Sequence, residues 1–86
     1  MPYLRQQDRE KFQSLVNAMH LNDIRTPGDL NYLVTHLMLA YLENTDRKYQ
    51  NYNDAIGALE CAKLELYRRH VAPYEDLKID ENGDVQ

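Results

Sequence analysis

The sequence is short of most features that would make its chemistry obvious. A single cysteine, Cys61, excludes an internal disulfide. No C-x2-C or H-x3-H spacing relates it to His20, His36 and His70, so no zinc site is expected within one chain. With three glycines in 86 residues there is no glycine-rich phosphate loop. The longest unbroken apolar run, Leu37 to Leu42, is far short of the roughly 20 residues that span a bilayer, so no membrane helix is expected. Met1 to Gln7 lacks the apolar stretch of a signal peptide, which makes the cytoplasm the expected location.

Positive charge is also scarce: 10 Lys and Arg stand against 14 Asp and Glu, for a net charge of −4. Residues 1–73 are balanced, and the excess lies in 74–86, where Lys78 faces Glu75, Asp76, Asp80, Glu81 and Asp84. We therefore expect a neutral body, 1–73, and an acidic tail, 74–86. A neutral body lacks the basic face that binds a phosphate backbone, so long DNA or RNA is not an expected partner.

What remains is helical. The 43% apolar and 28% charged composition is that of an ordinary globular chain, and three segments carry a 3.6-residue rhythm. Phe12, Leu15, Val16 and Met19 share one face of a helix expected from about Asp8, its N-cap, to about Leu21, with Asn22-Asp23 as the stop. Thr26-Pro27-Gly28-Asp29 is the clearest start: a hydroxyl cap, proline at the first position and a carboxylate at the third. Leu30, Leu33, Val34, Leu37, Met38 and Tyr41 then form a stripe, with Tyr32, Leu39 and Leu42 on the other side. Residues 43–53 read as a loop. The third helix is expected to begin near Asn51 or Asn53 and to end near His70 or Val71, stopped by Pro73. Its broad apolar face holds Ala55, Ile56, Ala58, Leu59, Ala62, Leu66 and Tyr67, while Gly57, Cys61 and Leu64 line up opposite. After Pro73, Asn82-Gly83 between short alternating stretches predicts a small β-hairpin or extended tail that docks through Leu77, Ile79 and Val85. The expected fold is all-α: three helices, the second and third an antiparallel hairpin, and a short C-terminal tail.

Helices apolar on more than one side need covering twice. A homo-oligomer, most simply a dimer, is expected to bury Leu39, Leu42, Gly57, Cys61 and Leu64.

Chemistry finds little to work with. Asp80, Asn82 and Asp84 alternate like calcium ligands, but a calcium loop needs glycine sixth and glutamate twelfth, and Val85 and the chain end stand in the way. Cys61 between apolar faces reads as a packing residue rather than a nucleophile. Glu60 and Glu65 lie about 140° apart around a helix and do not converge on one substrate. No catalytic residue, metal or cofactor is expected, and the chain is not read as an enzyme. One polar grouping stands out: Arg47, Lys48, Tyr49 and Tyr52 with Arg68 and Arg69, since tyrosine and arginine can stack on a base and pair with a phosphate. The plainer reading is that the arginines complement the negative end of the third helix.

The Thr26-to-Leu33 start, the Ile56-to-Cys61 segment, Tyr67-Arg68-Arg69 and the ending Pro73-Tyr74-Glu75-Asp76-x-Lys78-Ile79-x-x-Asn82-Gly83-Asp84-Val85 resemble a family of short uncharacterised proteins of phages and bacteria. The resemblance covers nearly the whole chain and implies a phage or prophage context, hence the host cytoplasm. It supplies no catalytic residue. Small phage proteins often act by binding, so the leading expectation is a non-enzymatic protein that modulates or inhibits a host protein, for example a defence factor. The alternatives are an oligomeric sponge for a small signalling nucleotide and a structural or assembly subunit of a phage particle.

Overall fold

The computed structural model describes residues 3–86, which form three helices and no strand, in agreement with the all-α expectation. Helix α1 covers 6–21 as Gln6–Arg9, a 3-10 turn Glu10–Phe12 and Gln13–Leu21. Helix α2 is Pro27–Glu43. Helix α3 covers 49–82 as Tyr49–Leu66, a π-turn Tyr67–Val71 and Ala72–Asn82. The residues fall into two units, one up to Tyr41 and the other Leu42–Gln86.

In the first unit, α1 starts before Asp8. Arg5 is the extended residue ahead of the helix, at ψ 149°. Asp8, expected as the cap, is the third helical residue, and its Oδ2 accepts Arg5 Nε–H at 3.2 Å. A carboxylate there still meets the positive helix end. The stop is as expected: Asn22 is extended, and its Nδ2 donates to the Ala18 carbonyl at 2.6 Å.

The α2 start is built as read. Asp29 N–H donates to Thr26 Oγ1 at 3.0 Å, and Asp29 Oδ2 accepts from the backbone N–H of Arg25 at 3.1 Å and of Thr26 at 3.2 Å. The two side chains thus satisfy amides that a helix start leaves without partners. Thr26→Ala should lower stability by about 1 kcal/mol, readable as a drop in thermal midpoint. The Arg25 amide, then that of Thr26, holds the Asp29 carboxyl below the usual carboxylate range. A depressed value means this stabilisation is complete above the ordinary carboxylate pKa and is lost as pH falls through the lower folded value. Acid titration of Asp29→Asn should lack that component.

In the second unit, the last turn of α2 is closed by Thr45, whose N–H and Oγ1–H both donate to the Leu42 carbonyl, at 3.0 and 2.8 Å. The loop is shorter than expected, because α3 begins at Tyr49. Asn51 is its third residue rather than its start, and Asn51 Oδ1 reaches back to accept Lys48 N–H at 3.1 Å. Polarity suggested a loop here, but the asparagine is part of the helix cap.

Pro73 does not end the third helix. In an α-helix residue 73 would donate to the Arg69 carbonyl; proline has no N–H, and its ring collides with that group. The chain widens instead: Ala72 N–H bonds to the Tyr67 carbonyl, five residues back, in the π pattern. Pro73 then sits in the first turn of Ala72–Asn82, where a missing N–H costs little. The expected hairpin tail is likewise corrected, since 72–82 are helical. Gly83, at φ 87°, follows the last helical residue and donates its N–H to the Ile79 carbonyl at 2.8 Å. A hairpin turn and a helix C-cap both want positive φ, so Asn82-Gly83 fits either.

Among the described residues only Leu42 (8% exposed) and Ala55 (9%) are buried. The expected stripes exist on each helix, but most of their large side chains face solvent. Phe12, Leu15, Leu30, Leu37 and Tyr41 are exposed in the first unit, and Ile56, Leu59, Leu66 and Tyr67 in the second.

Candidate functional site

The residues of interest in the second unit fall at opposite ends of a long helix. At its start, Arg47 holds a left-handed backbone (φ 55°), and its N–H donates to Thr45 Oγ1 at 3.2 Å. Lys48 Nζ pairs with Asp46 at 3.4 Å, and Tyr49 and Tyr52 are exposed. This end presents two phenol rings beside two cations.

At the π-turn, Glu65 gathers the arginines. Arg68 Nη2 lies 2.9 Å from Glu65 Oε1, and Arg69 Nε pairs with the same oxygen. The carboxylate is half-buried while both guanidinium groups are exposed. Across the turn, Tyr67 O–H donates to Glu75 Oε2 at 2.8 Å. That hydrogen bond, then the carboxylate charge, then partial burial raise the Tyr67 pKa. The bonded phenol contributes stability below its unfolded pKa, and this is lost as pH rises through the higher folded value. Ultraviolet titration of the seven tyrosines should show Tyr67 ionising above its ordinary value, and Glu75→Gln should bring it back down.

The helix separates the two clusters. From Tyr52 to Arg68 there are sixteen residues, about 24 Å at about 1.5 Å per residue. Arg47, Lys48, Tyr49 and Tyr52 therefore do not share a mononucleotide-sized site with Arg68 and Arg69 of the same chain. The sequence did not point to Glu65, Tyr67 and Glu75 as a group. The one signal available was that helix-favouring residues (Glu75, Leu77, Lys78, Glu81) resume after Pro73.

The residues expected at an oligomer interface also differ in environment. Leu42 is buried and is packing rather than free surface. Leu39 and Leu64 are exposed, Cys61 is half-buried, and a Cβ on Gly57 would meet nothing within 4 Å. On Tyr49–Leu66 the side with least exposure carries Asn51, Ala55, Cys61 and Glu65. About 100° round the helix, Tyr52, Ile56, Leu59 and Leu66 form an open apolar stripe, 43, 64, 40 and 58% exposed. Ile56, Leu59 and Leu66 belong to the face that the sequence assigns to the interior, whereas Tyr52 belongs to the polar grouping.

No described helix is long and apolar enough to cross a membrane, and no three His, Cys, Asp or Glu among the described residues are placed to hold a metal ion. The described residues offer exposed apolar faces and two small charged clusters. Comparison with curated proteins and with solved structures finds no match. A family model described as a domain of unknown function (DUF6899) matches residues 1–85, and the chain belongs to that family.

Proposed function

We propose that the chain is a small non-enzymatic binding protein, phage- or prophage-encoded, that engages a host protein in the host cytoplasm and modulates or inhibits it, a defence factor being one such target. One observation carries this reading: no residue described in the first unit is buried, although its helices hold well-formed apolar stripes through Phe12, Leu15, Leu30, Leu37 and Tyr41. Exposed apolar patches of this kind mark surfaces that meet another protein.

The test is capture from host lysate with the wild-type chain and with Leu30→Asp and Leu37→Asp. A host protein that binds the wild type, rebinds it when purified, and is lost with both variants supports the reading. Thermal-shift measurements with mononucleotides and cyclic dinucleotides run alongside. A ligand-dependent rise would overturn the reading in favour of a nucleotide sponge, since a ligand that binds only the folded state stabilises it by mass action. Co-sedimentation with assembled phage particles, and no host partner, would favour a structural subunit.

A further inference from the structure

We propose that Asn82-Gly83, at the end of α3, is a self-modification site: the asparagine amide is lost through a cyclic imide, and the product opens the helix end. Asn82 is the one asparagine of the chain that precedes a glycine, and both residues are exposed. Gly83 has no Cβ to shield its nitrogen, and a cleft of about 370 Å³ lined in part by Lys78, Ile79, Asn82 and Asp84 admits water to the pair. The Gly83 nitrogen, once its proton has gone to hydroxide, attacks Asn82 Cγ. The N–Cγ bond forms, the Cγ–Nδ2 bond breaks, and Nδ2 takes a proton from water and leaves as ammonia. Water then opens the five-membered ring at either carbonyl. Cleavage of the new N–Cγ bond leaves an ordinary aspartate; cleavage of the original peptide bond leaves an isoaspartate, whose main chain runs through Cβ and Cγ. The sum is one water consumed and one ammonia released, with no oxidant or reductant.

The helix end sets the rate. Asn82 is the last helical residue, and Gly83, at φ 87°, donates its N–H to the Ile79 carbonyl at 2.8 Å. That bond occupies the proton that must leave, and a helical ψ at Asn82 holds the nitrogen away from Cγ. The amide therefore reacts when the last turn opens. Helix ends open at little cost, and here charge favours it: the last turn holds no basic residue, while Asp80 and Glu81 stand at the negative end of the dipole. Lys78 offsets one of them, its Nζ 3.1 Å from Glu81 Oε2. Conversion makes the opening permanent. Either product adds a carboxylate at position 82, again at the unfavourable end, and the isoaspartate adds a backbone carbon that carries the Gly83 N–H out of register with the Ile79 carbonyl.

The test is to age the full chain at neutral and mildly alkaline pH in isotope-labelled water and follow its tryptic fragments by mass spectrometry. Asn82 should lose its amide nitrogen and gain one labelled oxygen, as a mixture of aspartate and isoaspartate, at least tenfold faster than any other asparagine. In urea, Gly83→Ala should slow the loss at least tenfold, because a Cβ crowds the attacking nitrogen. Asp80→Lys places a cation in the last turn, four residues after Asp76. It should slow the folded chain at least twofold and leave the rate in urea unchanged. After conversion the Gly83 amide proton should exchange with solvent as in an unstructured chain. An Asn82 amide lost no faster than those of the other asparagines overturns the proposal. So does a Gly83→Ala rate in urea equal to that of the unsubstituted chain, which would mean direct hydrolysis without a ring. Asp80→Lys without effect on the folded chain, or with an equal effect in urea, overturns control by the helix end, and a converted chain that still protects the Gly83 amide overturns the opening.

Discussion

Leu42→Ala is expected to lower stability by about 2–4 kcal/mol, the range for truncating a buried leucine whose surroundings close only partly over the gap. In a domain of this size each kcal/mol moves the thermal midpoint by about 4–8 °C, so the shift should be at least about 8 °C. The magnitude follows from scarcity. Leu42 and Ala55 are the two buried residues among those described. The same leucine carbonyl receives both the N–H and the hydroxyl of Thr45, so its position is fixed by the end of α2 as well as by packing. Truncating an exposed leucine gives the control: Leu64→Ala should shift the midpoint by no more than a few degrees. Equal effects at the two sites would mean that the burial of Leu42 contributes no more to stability than an exposed leucine does.

Pro73→Ala is expected to raise the thermal midpoint and to remove the π-turn. In a helix interior proline costs about 3 kcal/mol against alanine. Here the widened turn relieves part of that, so a gain of about 1–2 kcal/mol is expected. Once residue 73 can donate an N–H, the Arg69 carbonyl regains an α-helical partner, and the segment Tyr67–Val71 can close to ordinary pitch. Losing the extra residue rotates the final segment by about 100° relative to Tyr49–Leu66. The Tyr67–Glu75 bond spans the turn, so it should be lost with it. Two measurements report separately: the midpoint rises, and Tyr67 ionises closer to its ordinary value. A midpoint that falls would show that the phase of Ala72–Asn82 is held by contacts that need the π-turn.

The parts of the molecule legible from the sequence are those that rest on neighbours in the chain. Thr26, Pro27 and Asp29 cap α2 as expected because the bonds run between residues at most four apart. Asn22 stops α1 for the same reason. Pro73 was misleading because local sterics forbid an α-helical continuation without forbidding a π-turn followed by a new first turn. Asn82-Gly83 was misleading because a hairpin and a helix end make the same demand on φ. Arg47, Lys48, Tyr49 and Tyr52 do not group with Arg68 and Arg69 within one chain, since a helix starting at Tyr49 holds its ends far apart.

By itself, then, the sequence determined the helical class, the α2 cap, the stop at Asn22 and the apolar rhythm of each helix, all set by backbone chemistry within a turn or two. Only the tertiary structure decided which faces are covered. Periodicity places Ala55, Ile56 and Leu59 together on one broad face, yet Ala55 is buried while Ile56 and Leu59 stand open. Burial depends on what lies opposite a side chain, and nothing in the spacing of residues along one helix carries that information.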